Sequence, residues 1–314
     1  MTQPATPRVS ALIPAYNAGR YLPHAIESII AQTYTDWEIV VVDDGSRDNT
    51  RSVVEAYQPR LKDKLQYIRQ SNQGISAARN AGIRSARSEF IALLDADDIW
   101  LPHRLQRGIQ VFDADAETGL VHARVARIDA QGSVVGQLKV EPKYMSGNIA
   151  RNILTRRAHI ICPTVIFRKR CLETAGMFDE TLRATEDRDL WFRIARHWKI
   201  GYIDEILAYY RLSPASVTSD LEGLLRGQLH FVAKHYQAGA CSRMEQLEAL
   251  GNIYRELGDS LFRGGALTKA IASYLRAVGY NPLSLPNAYM LVRAIMEPLV
   301  RACAAAHPRS AESR

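Results

Sequence analysis

Residues 90–98 read Phe90-Ile91-Ala92-Leu93-Leu94-Asp95-Ala96-Asp97-Asp98, an unbroken apolar run that ends in a cluster of carboxylates. A short run with no polar alternation reads as a strand buried on both faces. The same grammar occurs twice upstream. Glu38–Val42 runs into Asp43-Asp44-Gly45-Ser46, and Val9–Ile13 runs into Pro14-Ala15-Tyr16-Asn17. Between these runs lie helical spacings. Tyr21–Gln32 carries Leu22, Ile26, Ile29 and Ile30, and Ser46, Asp48 and Asn49 signal a helix start before Val53, Val54 and Tyr57. Leu65–Ile68 reads as a further strand and Ser76–Arg87 as a further helix. Strands alternating with helices predict an α/β fold with a mostly parallel, Rossmann-like sheet covered on both faces. Ligands of such sheets bind beyond the carboxyl ends of the strands, where all three polar clusters fall.

Downstream, from Leu120 to about Pro214, the pattern is mixed. Val121–Ile128 and Ile160–Phe167 read as strands, Glu186–Arg196 as a helix, and Ile200–Tyr210 as short extended segments. Beyond Ser219 the pattern is helical. Two domains are therefore expected, 1–218 and an all-helical C-terminal extension over 219–314. Within the extension, Gly251–Ser284 carries Tyr254, Leu257, Gly258, Leu261, Ala270, Tyr274, Ala277 and Pro282, which fit one tetratricopeptide-like helix pair. An ordinary helical hairpin accounts for the same positions.

Composition narrows the function classes. With 47% hydrophobic residues the chain can bury a core, which excludes a disordered protein. Forty Lys+Arg against 33 Asp+Glu leave +7, a mild surplus. It suits an anionic ligand or membrane surface and, without clustering on one face, excludes a nucleic-acid partner. Cys162, Cys171, Cys241 and Cys303 form neither a zinc pattern nor a disulfide framework. The polar MTQPATPR start is no signal peptide, and the most apolar stretch, Ala288–Ala306, is interrupted by Arg293, Glu297 and Arg301. The expected location is cytoplasmic, and Met290, Leu291, Ile295 and Leu299 fit a tail helix docked on its own domain, with peripheral contact to the inner membrane face and homodimer formation as the other roles open to it.

The sharpest chemical signal is Asp95-x-Asp97. Two carboxylates at one strand end repel unless a cation lies between them, and oxygen ligands suit Mg²⁺ or Mn²⁺ carrying a diphosphate. The bland account is a helix N-cap by Asp97 or Asp98 before Leu101-Pro102. Asp43 and Asp44 are placed to accept from a nucleobase or ribose, although Asp-Gly-Ser is also good turn chemistry. Pro14, Ala15, Tyr16 and Asn17 can border a base, or form an ordinary loop. Gly74 permits close backbone approach, Ser76 is a candidate cap, and Arg79 either reaches toward phosphate or faces solvent. Glu186, Asp187 and Asp189 open a distant helix, where the helix dipole alone favours acids. One of Asp187 and Asp189 can serve as a general base. The basic run Arg151, Arg156, Arg157, Arg168, Lys169 and Arg170 reads either as a site for a phosphorylated or lipid-linked acceptor or as a solvated face.

Five blocks together resemble the family 2 inverting glycosyltransferases with the GT-A fold. They are VSALIPAYNAGRYL from Val9, SIIAQTYTDWEIVVVDDGSRDNT from Ser28, NQGISAARNAGI from Asn72, FIALLDADDIWLP from Phe90 and GMFDETLRATEDRDLWFRI from Gly176. The resemblance reaches from Val9 to about Tyr210 and leaves the helical tail outside. It implies a nucleotide-diphosphate-sugar donor, a UDP-sugar foremost, and an acceptor of undefined carbohydrate, lipid-linked or protein type in cell-surface polysaccharide or glycoconjugate synthesis. It implies that Pro14, Ala15, Tyr16, Asn17, Asp43, Asp44, Gly74, Arg79, Asp95, Ala96 and Asp97 line the donor site. Asp97 and Asp95 are implied metal ligands for Mn²⁺ or Mg²⁺, and Asp187 is the implied base. The triplet before the base reads Thr185-Glu186-Asp187, with Thr where many relatives have Gly. A nucleotidyltransferase would need a Gly-rich, basic loop after the first strand, and an Asp-nucleophile phosphatase would have its carboxylates there. A non-catalytic sugar-nucleotide-binding scaffold or sensor working through its tail is the other reading, and substitution of Asp187 separates the two.

Overall fold

The computed structural model describes residues 6–182, 184–212 and 220–306, with side chains to 297. The described chain falls into two compact units, Met1–Ile153 with Arg157–Asp220, and Leu154–Arg156 with Leu221–Arg314. The boundary expected at 218/219 lies outside the described residues.

The first unit begins β1 (Val9–Ala15), α1 (Leu22–Ile30), β2 (Trp37–Asp43), α2 (Thr50–Leu61), β3 (Leu65–Arg69), α3 (Ile75–Ser85), β4 (Phe90–Leu93). It continues β5 (Ile99–Trp100), α4 (Arg104–Ala114), β6 (Thr118–Ile128), β7 (Val134–Gln137), α5 (Ala150–Leu154), β8 (Ile166–Arg168), α6 (Leu172–Ala175), α7 (Glu186–Ala195) and β9 (Lys199–Arg211). One nine-stranded sheet runs β3-β2-β1-β4-β8-β6-β9-β5, with β7 paired to β6. Strands β1 to β4 are mutually parallel where they pair. Every residue of β1, β2 and β4 is buried, as nearly all-apolar runs require, and the polar Ser10 and Glu38 within them bond to each other at 2.6 Å.

Helix α3 lies close on this sheet because Gly82 has no side chain. A Cβ there would sit 2.0 Å from Leu12 Cδ1 and 3.1 Å from Val42 Cγ2. The helix opens at Gly74, whose φ of 93° is open to glycine without strain. Ser76, the expected cap, lies inside the helix and its buried hydroxyl makes no hydrogen bond among the described residues.

Two further expectations change. Ile160–Phe167 is not one strand: Cys162–Thr164 forms a 3₁₀ turn, and only Ile166–Arg168 pairs in the sheet. Pro163 interrupts the run, and its carbonyl accepts from Trp100 Nε1 at 2.7 Å. Conversely, the short segments over Ile200–Tyr210 are one 13-residue strand, β9, parallel to β6. Its register slips between Ile203 and Ile206, because Asp204 and Glu205 bulge out into solvent.

The second unit holds α8 (Leu221–Gln237), α9 (Arg243–Arg263), α10 (Leu267–Tyr280) and α11 (Leu285–Ala306). Ser242 and Glu245 form a capping box at the start of α9. Gly258 lies under the Tyr274 ring, where a Cβ would approach to 2.5 Å, so α9 and α10 pack closely. Met290 and Leu291 pack with Ala270, Tyr274 and Ala294, whereas Ile295 is exposed. The Leu299 side chain lies outside the described residues. No helix among the described residues is long and apolar enough to cross a membrane.

Candidate active site

The β1 and β2 ends are stitched into one platform. Pro14 and Ala15 finish β1 and are buried, while Tyr16 is 53% exposed. Asn17 takes a left-handed conformation, φ 49°, and so turns back toward the β2 loop. Its backbone N–H donates to Ser46 Oγ at 2.9 Å, and its Oδ1 accepts from the Arg47 N–H at 2.9 Å. Asp43 is fully buried and accepts from the Ser46 N–H (2.7 Å) and the Tyr67 hydroxyl (2.6 Å). Burial works against its ionisation, but the hydrogen bonds of Ser46 and Tyr67 and the charge of Arg69 overcome it, so its carboxyl sits below the ordinary value. Asp44 Oδ1 accepts from Gln70 Nε2 and the Gln73 N–H, and Oδ2 accepts from the Gly74 N–H. This carboxylate thus serves the entry of α3 from another strand, which explains why Ser76 need not.

The β4 end is built on the opposite principle. Asp95 accepts from Arg79 Nη2 at 2.8 Å, and Ala96 is buried. Asp97 has no ion pair among the described residues; burial and then the charge of Asp95 push its carboxyl above the ordinary value. Asp98 is buried, with Oδ1 accepting from the Arg211 N–H at 2.8 Å and Oδ2 without a partner among the described residues. Burial, Asp95 and Asp97 raise it well above the ordinary value. The N-cap account fails: α4 begins at Arg104 after His103, with no side-chain cap bond. Crowded carboxylates of this kind fit a hard divalent cation. Among the described residues no three His, Cys, Asp or Glu side chains are arranged to hold an ion by themselves. An ion here would therefore complete its shell with diphosphate and water oxygens, as Mg²⁺ habitually does.

Helix α7 brings the distant acids to this edge. Glu186 Oε1 accepts from Arg79 Nη1 at 2.9 Å, across 107 residues of sequence. Burial and the neighbouring Asp187 raise Glu186 above the ordinary carboxyl range against the pull of Arg79. Asp187 is partly buried, with Oδ1 accepting from the Arg188 N–H at 2.6 Å. Asp189 is fully buried and paired with Arg193 at 2.6 Å. Arg193 in turn donates to the Ala175 and Met177 carbonyls, so Asp189 is spent on packing. Geometry thus leaves Asp187 as the base candidate of this helix. Sequence reading gave no role to Cys162, whose thiol lies within the same acid cluster. Burial raises it, Arg79 opposes, and Asp95, Asp187 and Glu186 add to the rise.

Arg79 is neither solvent-facing nor open to the surface: it is 2% exposed between Asp95 and Glu186. The basic run is likewise no continuous solvated face. Arg168 is buried and donates to Glu89, Thr118 O and Phe112 O. Lys169 donates to Ala86 O and Arg170 to Ala116 O, while in the helical unit Arg156 pairs with Glu256.

Residues 10–176 match the profile of the family described as glycosyl transferase family 2. Asp187 lies beyond the matched residues. An uncharacterized glycosyltransferase of Nostoc sp. is 39% identical over 226 residues, covering 68% of this chain and 70% of that one. Chondroitin synthase of Escherichia coli is 29% identical over 229 residues, 72% of this chain but 32% of the synthase. Among solved structures, TarS of S. aureus in complex with UDP-GlcNAc aligns at a TM-score of 0.61 and 18% identity, covering 92% of each chain. A mannosyltransferase from Pyrobaculum calidifontis in complex with GDP-Man and Mn²⁺ aligns at 0.63 and 20% identity, covering 93% of this chain and 81% of that one. At these identities the likeness is one of fold.

Proposed function

The chain belongs to glycosyl transferase family 2, has the GT-A fold and is a glycosyltransferase, and on that premise we propose that it is a metal-dependent inverting enzyme using a nucleoside-diphosphate sugar. The donor is a UDP-sugar foremost, and the product belongs to cell-surface polysaccharide or glycoconjugate synthesis. The observation that carries the reading is the meeting of Asp95 and the Glu186-Asp187 helix start on one guanidinium, at the carboxyl edge of the parallel strands. The UDP-GlcNAc and GDP-Man complexes of proteins with this fold support a donor of that class.

Tyr16 offers an exposed ring beside Pro14 for the base. Asp43 and Asp44 hold the loops that would flank the base and ribose, and Asp44 fixes the Gln73 and Gly74 amides. Asp97 and Asp95 would hold Mn²⁺ or Mg²⁺, which when bound offsets charge on the departing diphosphate. Asp187 takes the proton of an acceptor hydroxyl. The freed oxygen bonds to C1 from the face opposite the diphosphate, and the bond from C1 to the diphosphate oxygen breaks. Attack from that side through an oxocarbenium-like state inverts the centre, so an α-linked donor gives a β-linked product.

The first experiment needs no acceptor: thermal melts with UDP, GDP, CMP and dTDP, each with and without Mn²⁺. A native-state ligand at a hundredfold excess over Kd stabilises by about 2.7 kcal/mol. A metal-dependent rise with one nucleotide, lost in Asp97→Asn, is the expected result; no rise with any of them would count against the proposed donor. Once a donor is known, Asp187→Asn should lower turnover by about 10²–10⁴-fold without weakening nucleotide binding, and unchanged turnover would remove Asp187 as the base.

A further inference from the structure

Two consecutive residues of α3 reach three separate segments of the chain. Arg79 spreads its terminal nitrogens between Asp95 Oδ1 and Glu186 Oε1, at 2.8 and 2.9 Å, and its guanidinium lies 5.3 Å from the centre of the Phe178 ring. Asn80, also buried, donates through Nδ2 to Phe178 O (2.9 Å) and Glu180 Oε1 (2.8 Å), and its Oδ1 accepts from the Phe178 N–H (3.0 Å). In the first turn of α7, Arg188 Nη1 donates to Ile153 O at 3.0 Å.

We infer that Arg79 and Asn80 are positioning residues that brace the base-bearing start of α7 against the carboxylate edge of β4, and that Arg79 is not a ligand of the donor's phosphates. The inference rests on the reading of Asp187 as the base. A phosphate ligand must present N–H groups to the open edge, whereas this guanidinium is buried with a carboxylate on each terminal nitrogen. A planar fork with fixed donor directions suits two carboxylates at once; an ammonium has no such geometry. Glu186 immediately precedes Asp187, so seating Glu186 sets where the first turn of α7 begins and where Asp187 points. Asn80 closes the same clamp on the strand of chain leading into that helix.

The test uses the full chain, with a panel of UDP-sugars and GDP-mannose, Mn²⁺, and donor hydrolysis as the turnover readout: water stands in for the acceptor hydroxyl, and UDP or GDP is released. Arg79→Lys should lower kcat by about a hundredfold, the effect of misplacing a catalytic group by about an ångström. Donor KM and the Kd for the free nucleotide should stay within about threefold, as for a group that does not touch the donor. Glu186→Gln, which keeps the shape and removes the charge, should follow the same split. A tenfold or greater weakening of nucleotide binding by Arg79→Lys, or kcat within threefold of wild type, would overturn the inference. Hydrogen exchange decides the brace independently of turnover. In Arg79→Lys the amides of Asp189 to Phe192 should exchange at least tenfold faster, while those of Leu12, Ile13, Val40 and Val41 keep their protection. Unchanged exchange in α7 sinks the brace even if activity falls. Wild-type protein that releases UDP or GDP from no donor in the panel counts against the proposed function, and leaves the exchange arm to judge the brace alone.

Discussion

The two acidic strand ends look alike in sequence and are opposites in structure. Asp43-Asp44 and Asp95-x-Asp97-Asp98 both close buried parallel strands at the same sheet edge. At β2 the chain supplies its own donors: Ser46, Tyr67, Gln70, Gln73 and Gly74. At β4 Arg79 pairs with Asp95, and Arg211 reaches Asp98 and the Asp97 carbonyl. The Asp97 carboxylate has no ion pair among the described residues, and burial with neighbouring acids raises both Asp97 and Asp98. A carboxylate cluster therefore does not announce a ligand; the shortage of internal donors around it does. The β2 pair is an anchor, whereas the β4 set fits the cation proposed above.

The largest way to break this contrast is by turnover. Asp97→Asn should reduce turnover by more than the roughly 10–100-fold typical of losing even an outer partner of a metal ligand. Steady-state rates with saturating Mn²⁺ check it, and a loss under tenfold would put Asp97 among the anchors. Stability should order the two ends the other way. Asp43→Asn loses charge-assisted hydrogen bonds worth about 1.5–3 kcal/mol, read from urea unfolding at neutral pH without metal. Asp97→Asn should be neutral or stabilising in the same experiment, since it removes a charge that burial and Asp95 oppose.

Acid separates the ends by sign. Asp43 is held below its ordinary 3.8, so the stability it contributes is present above that pH and fades as pH falls through the folded value. Asp97 is raised above 3.8, so its contribution is full below 3.8 and is lost as pH rises through the folded value. The gap between wild type and Asp97→Asn should therefore close on mild acidification from neutrality, before pH 3.8 is reached. The gap between wild type and Asp43→Asn should persist to that point and shrink only below it. Melting temperatures from pH 3 to 7 decide, and parallel curves for the two variants would erase the distinction. The smallest expected effect is Tyr67→Phe, which removes one donor from Asp43 and should cost about 1 kcal/mol with turnover unchanged.

Much of the frame was legible because strands buried on both faces leave a nearly all-apolar signature. Where Pro163 and the Asp204-Glu205 bulge break the pattern, the sequence runs β8 too long and splits β9 into fragments. The site residues stood out as acids at strand ends, but the division of labour among them did not. Asp187 and Asp189 are two positions apart, and only the buried partner Arg193 shows that Asp189 is spent. Arg79 carried no sign of its carboxylates, because Glu186 lies 107 positions away. Cys162 carried none at all, since a lone buried thiol has no pattern.

Arg211 makes the β4 edge a late event in the life of the chain. Its N–H and side chain hold Asp98 and the Asp97 carbonyl from 113 and 114 residues downstream, and it also grips the Asp129 carbonyl. During synthesis the first four strands can pair while that residue is still unmade. The acidic loop must then wait for β9 to thread in beside β6. Contacts of such long sequence separation form slowly, so a nascent or truncated chain lacking β9 would carry a finished β1–β2 platform beside an unfinished carboxylate edge.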